Sequence, residues 1–108
     1  MSSPRKTIIY VDPNNGGCSV EADAIADQVF AHLKHKKSVI LECGRPVQID
    51  RIWFESFLTR MLIKGLKKEL VLALKSESKL LVIRPGSKAS FDNLIAVIKQ
   101  HPELSKLL

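Results

Sequence analysis

The chain has 108 residues, 45% of them hydrophobic, and this size suits one domain with a substantial core. It has no apolar run long enough to span a membrane and no signal-peptide core, so we expect a soluble, cytoplasmic protein whose first six residues are flexible. Two cysteines are too few for a disulfide framework. The net charge of +6 permits binding to nucleic acid, an anionic membrane surface or an acidic partner, without choosing among them.

Strands and helices alternate along the sequence. In chain order we predict a strand at 7–11, a helix at 19–36, a strand at 39–41, a helix at 51–64, strands at 70–74 and 80–83, and a helix from 87–90 to 100. The order β-α-β-α-β-β-α predicts a single-domain α/β fold, with helices packed on a mostly parallel sheet of about four strands. The segment 66–77 is also rich in good helix formers, so it can instead continue the second helix and leave a three-stranded β-α-β-α-β-α core.

Side chains suited to helix ends support these boundaries. Ser19 and Asp50 are suitable N-caps, since their oxygens can accept a hydrogen bond from an otherwise unpaired backbone N–H. Gly65 is a plausible C-terminal stop for the second helix. Pro102 ends the last helix, because a residue before proline is disfavoured in the helical region.

The second helix has an apolar arc wider than one core contact usually needs. Its polar residues share one stripe, and the rest of 51–64 is apolar. Trp53 and Phe54 are neighbours that project about 100° apart on a helix, so one can face the sheet while the other meets a second surface. The alternative is that both rings belong to the core. Aromatic residues are enriched at protein interfaces, which makes this helix a candidate docking element.

Three loops each follow a strand and lead into a helix, and in a parallel sheet all three lie at its carboxyl edge, where open α/β sheets bind ligands. The third loop combines Arg84, Gly86 and Lys88 with a helix N-terminus, a combination that suits an anion. Neither this loop nor the first, with Gly16 and Gly17, matches a phosphate-loop or dinucleotide motif. Turn formation is the simpler role for these glycines.

The cysteines and histidines give little support for catalysis. Cys18, His32, His35 and Cys43 lack the paired spacing of a metal site, and His101 has no triad-like neighbours in sequence. We therefore expect no catalytic residue, no metal and no cofactor. Cys43 is expected to be a small core residue. A thiol or acid–base enzyme would have to use Cys18, whose position before a helix start can lower its pKa.

The central stretch resembles a STAS domain, the fold of anti-sigma-factor antagonists. That family shows a strand ending in an acidic residue, a loop, Ile-Asp, a helix and a strand like Leu-Val-Leu. Glu42, the Val-Gln-Ile-Asp at 47–50, the helix through Leu66 and the Leu-Val-Leu at 70–72 follow this pattern. Phosphorylation-switched members have Ser or Thr directly after the Asp, where this chain has Arg51. The segment 75–79 is also too short for the family's next helix.

The resemblance implies a non-enzymatic regulatory module that docks a partner protein. A second copy of the chain is a further candidate partner, because an exposed strand edge or an aromatic helix face can pair with its own copy. The docking surface would be the start of the second helix, with the contact residues Gln48, Asp50, Arg51, Trp53 and Phe54. The alternative is a basic module that binds an anionic ligand or nucleic acid at the carboxyl edge of the sheet, through Arg84, Gly86 and Lys88.

Overall fold

The computed structural model describes residues 7–11, 19–43 and 48–107. Within these residues the chain forms three strands and four helices, with two consecutive helices between the second and third strands. They are β1 (Thr7–Tyr10), α1 (Ser19–Lys34), β2 (Val39–Glu42), α2 (Arg51–Ile63), α3 (Lys67–Leu74), β3 (Leu81–Arg84) and α4 (Lys88–Gln100), followed by a 3₁₀ turn at Ser105–Leu107. The α/β class and the parallel sheet predicted from the sequence are thereby confirmed.

The three strands form one parallel sheet in the order β1-β2-β3. Each connection leads from one strand to the adjacent strand, and both connections run in the same direction across the sheet. Because such crossovers are almost always right-handed, their helices come to lie on the same face of the sheet. The buried residues agree with this arrangement, since Ile9, Leu41 and Leu81 share one core with residues from all four helices.

The helix α2 is central in this helical layer, where it packs between α1 and α4 above the sheet. A central helix buries both flanks as well as its base, and this explains the wide apolar arc noted in the sequence. The side chains of Trp53 and Phe54 are 0% and 1% exposed. Trp53 stacks on Phe57 with ring centroids 5.3 Å apart and meets Phe54 edge-on at 5.6 Å. Both rings therefore belong to the core, which was the second of the two alternatives, and neither faces outward.

The strand predicted at 70–74 is also wrong, because these residues belong to α3. Gly65, at φ +80°, ends α2 as predicted, and the N–H groups of Gly65 and Leu66 donate to the carbonyls of Leu62 and Met61. This closure turns the chain, after which a new helix buries Leu70 and Ala73 against the core. The helical alternative for 66–77 was the better one, although the turn at Gly65 separates α3 from α2.

Two predicted N-caps differ in detail from the expectation. Asp50 occupies the N-cap position of α2, but its side chain makes no capping hydrogen bond. Ser19 is the first residue of α1, so the capping position of that helix lies outside the described residues. The six N-terminal residues, the predicted loop at 12–17, Cys18 and residues 44–47, which include the predicted strand breaker at 44–46, also lie outside them.

Candidate protein-interaction surface

The second face of the sheet has no described helix packed on it. The strand register places Ile8, Ile40 and Val82 side by side in one row, all pointing away from the helical layer. None of the three belongs to the core cluster, whereas Ile9, Leu41 and Val39 from the alternate positions do. We call this surface the open face, and it consists of this row together with Tyr10, Glu42 and Arg84 in the next one.

The exposed residues of the open face are large. Ile8 is 45% exposed and Tyr10 is 68% exposed on the outer strand, whereas Ile40 on the central strand is buried, with 7% of its surface exposed. At the carboxyl end of the row, Arg84 Nη1 lies 3.6 Å from Glu42 Oε2. The open face is therefore an apolar strip with an ion pair at one end and an aromatic ring at one corner.

A face on which no described helix packs is unusual for this kind of sheet. All-parallel sheets occur almost only where helices cover both faces, because both faces are apolar. In this protein the helices of both crossovers are directed to one face, and α4 joins them there by packing on α2. Within the described residues, the open face therefore lacks the layer of helices that parallel sheets usually have on each face.

Of the residues predicted to dock a partner at the start of α2, some are exposed and others are buried. Gln48, Asp50 and Arg51 are exposed there, whereas Trp53 and Phe54 lie in the core. An interface usually depends on a few buried aromatic or Arg anchors, and the two predicted anchors have no surface to offer. The start of α2 can therefore offer a partner only the polar side chains of Gln48, Asp50 and Arg51.

The outward stripe of α2 also carries exposed aliphatic residues. Ile52 and Ile63 stand at its two ends, with Ser56 and Thr59 between them, and together they border a shallow groove beside α1. Aliphatic side chains exposed singly are ordinary on protein surfaces. Arg60, which borders the groove, is paired with Asp27. Its Nε and Nη2 donate hydrogen bonds to the two carboxylate oxygens of Asp27 at 3.0 and 3.1 Å.

The segment before α2 is fastened to α4 rather than free to move as a docking loop. The backbone N–H of the buried Ile49 donates to Ser90 Oγ at 2.8 Å, and Asn93 Nδ2 donates to the Ile49 carbonyl oxygen at 2.8 Å. Ser90 itself is fully buried, and its N–H donates to Ser87 Oγ, which caps α4. We call these two hydrogen bonds the clip. Sequence reasoning did not find it, because its partners are separated by 41 and 44 positions along the chain.

The predicted anion-binding residues do lie together, in a shallow depression at the start of α4. Each cation already has a carboxylate beside it, because Arg84 pairs with Glu42 and Lys88 Nζ lies 2.8 Å from Asp92 Oδ2. Gly86 supplies the turn with φ +86°. The strand order also has no reversal, so the sheet lacks the crevice in which open α/β sheets bind ligands. The geometry does not favour an anion site here.

Cys43 is buried, as the sequence predicted, and burial raises the pKa of its thiol to about 12, with the charge of Glu42 adding to the shift. A thiol with such a pKa is protonated and unreactive at neutral pH. In the part of the chain that the structure describes, no group of three or more His, Cys, Asp or Glu side chains could hold a metal ion. Cys18, the thiol proposed for catalysis, lies outside that part.

Comparisons with protein-family models, curated proteins and solved structures found no match. The resemblance to STAS domains therefore remains a prediction, and one of the segments that suggested it, Leu-Val-Leu at 70–72, is helical. None of the helices within residues 7–11, 19–43 and 48–107 is long and apolar enough to cross a membrane.

Proposed function

We propose that this protein is a non-enzymatic protein-interaction module, and that its open face docks an amphipathic helix of a partner protein. The carrying observation is the row of Ile8, Ile40 and Val82, which faces away from every described helix. The proposal keeps the kind of function predicted from the sequence and moves the docking surface from α2 to the sheet.

The dimensions of the open face suit one helix. Three strands separated by about 4.8 Å place the outer strands about 10 Å apart, which is close to the diameter of a helix with its side chains. Strands of four residues at about 3.3 Å per residue span about 13 Å, the length of about nine helical residues. A helix of two to three turns would complete the layer that both faces of a parallel sheet normally have.

Charge indicates which helix fits. The chain carries a net charge of +6, which attracts an acidic segment during encounter. Arg84 at the rim of the apolar row is already paired with Glu42, so this attraction comes from the charge of the chain as a whole. The partner segment is thus an amphipathic helix with apolar residues at i, i+3 and i+4 and acidic flanks.

A pull-down from native extract tests this assignment. The bait is the wild-type protein, the Val82→Lys variant on the open face, or the matched Ile63→Lys variant on the outward stripe of α2. We expect a retained protein that is lost with Val82→Lys and kept with Ile63→Lys, because a lysine in the apolar row prevents a helix from packing there. Circular dichroism establishes that each bait is folded.

The opposite pattern would move the docking surface back to α2, and equal retention by all three baits would exclude both surfaces. The anion-binding alternative is tested with the same proteins by titrating mixed-sequence oligonucleotides at low and high salt. Electrostatic binding of this kind weakens steeply with salt.

A further inference from the structure

The outer edge of β1 presents unpaired backbone groups. The N–H of Thr7 donates to the Ser38 carbonyl at 2.9 Å and the N–H of Val11 donates to that of Glu42 at 3.0 Å. Backbone groups alternate in direction along a strand, so the N–H and C=O groups of Ile8 and Tyr10 point away from β2. Among the described residues, none of these four groups has a backbone partner.

The other edge of the sheet, at β3, is protected. The N–H of Leu81 donates to Ser78 Oγ at 2.9 Å, and Pro85 at the end of the strand has no N–H to offer. The end of α3 lies beside this edge, where Ala73 and Ser76 share a groove with Ile83. The strand β1 has neither a charged residue nor a proline between Thr7 and Val11, which are the devices that usually prevent edge pairing.

We propose that two copies of this chain pair through the outer edges of β1, antiparallel and in a register centred on Ile9. Ile8 then lies opposite Tyr10 of the second copy, and the outward groups of the two residues exchange four hydrogen bonds in all. A two-fold axis through the Ile9 pair relates the copies. The result is one six-stranded sheet that presents both open faces on the same side.

The side chains at this edge favour a second copy as the occupant. In this register the exposed Ile8 and Tyr10 side chains meet across the interface, and cross-strand pairs of an aromatic and a β-branched residue are favourable. The interface is small and the net charges repel, so we expect a weak, concentration-dependent dimer.

This inference goes beyond the proposed function, since it concerns pairing through the backbone edge of β1, where Ile8 and Tyr10 of the open face also meet their counterparts in the second copy. Sedimentation velocity over increasing protein concentration tests it with the wild type and three variants. Ile8→Pro removes one outward donor and leaves the β1–β2 ladder intact, because Ile8 does not bond to β2. Tyr10→Lys places a charge on the edge, and Val82→Lys is the control on the far strand.

We expect the wild type and Val82→Lys to dimerise alike, and Ile8→Pro and Tyr10→Lys to dimerise at least tenfold more weakly. If Ile8→Pro fails to fold, Tyr10→Lys decides, because its side chain is largely exposed. A wild type that stays monomeric, or a dimer indifferent to both edge variants, would overturn the proposal. Dissociation by Val82→Lys would overturn it too, by assigning the contact to the open face.

The register has its own test by charge exchange. Tyr10→Lys is expected to weaken the dimer, and Tyr10→Lys combined with Ile8→Glu is expected to restore it, because these two positions lie opposite each other in this register. A double variant no better than the single one would overturn the register centred on Ile9. Partner retention in the pull-down is measured separately, so failure of the dimer and failure of the docking proposal remain distinguishable.

Discussion

The two adjacent isoleucines of β1 offer a matched test of the open face. Ile9 points into the core and is 7% exposed, whereas Ile8 points the other way and is 45% exposed. Replacing each by alanine removes the same atoms from the same strand. Any difference between the two variants in the free energy of unfolding therefore reports what covers each face.

The expected difference follows from burial. Ile→Ala removes three carbons, which is about 2.4 kcal/mol at about 0.8 kcal/mol per buried methylene. Scaled by the buried fractions, the loss is about 2.2 kcal/mol for Ile9→Ala and about 1.3 kcal/mol for Ile8→Ala. Only Ile9→Ala leaves an enclosed cavity, which adds about 1 kcal/mol. The two variants thus differ by about 2 kcal/mol.

Urea denaturation followed by circular dichroism measures this difference. For a domain of this size, 2 kcal/mol corresponds to about 10 °C in melting temperature, which thermal unfolding resolves easily. The slope with urea is expected to be the same in both variants, because each unfolds the same structure. Equal losses of about 3 kcal/mol would mean that the second face of the sheet is also covered, and the argument for an open docking face would fail.

Three further predictions concern the rest of the fold. Ser90→Ala leaves the buried Ile49 N–H without an acceptor, so we expect it to lower the free energy of unfolding by about 1–3 kcal/mol in urea denaturation. The control Lys88→Ala is expected to change it by less than about 0.5 kcal/mol, and equal effects of the two variants would contradict the clip. Lys36→Gly is expected to raise stability by up to about 1 kcal/mol, since Lys36 has φ +57° just after α1, and a loss would contradict that conformation. The Arg60 guanidinium lowers the pKa of Asp27 below 3.8, so its contribution to stability is present above that pH and is lost as pH falls through the lowered value. Asp27→Asn should accordingly flatten acid unfolding, and an unchanged pH profile would exclude this pair as a contributor.

Local pattern was enough to predict much of the fold. The strands at β1, β2 and β3 were visible as short β-branched runs, and α1, α2 and α4 as periodic apolar stripes. The segment of α3 was ambiguous, because an apolar run of five residues suits a buried strand or a short helix equally well. What decided it was the packing of Leu70 and Ala73 against the core, which is a tertiary fact.

The proposed docking surface was harder to predict for a related reason. A wide apolar arc on α2 suggested exposed aromatic residues, yet it reflects the central place of this helix between two neighbours. The open face leaves almost no trace in sequence, because strands buried on one or both faces read alike when alternate positions are all apolar. The sequence contains one signal for this face. Each strand ends in a residue with a polar group, and these residues, Tyr10, Glu42 and Arg84, share a row in the strand register.

The most direct test of the docking face is photo-crosslinking in native extract. The variant Val82→p-benzoylphenylalanine places the crosslinker on the open face, and Thr59→p-benzoylphenylalanine places it on the outward stripe of α2. We predict a crosslinked protein from position 82 only, with the attachment site in an amphipathic helix with acidic flanks when mapped by mass spectrometry. Crosslinking from position 59 alone, from neither position, or from position 82 to a segment that is not helical would contradict the proposed docking of a helix on the open face.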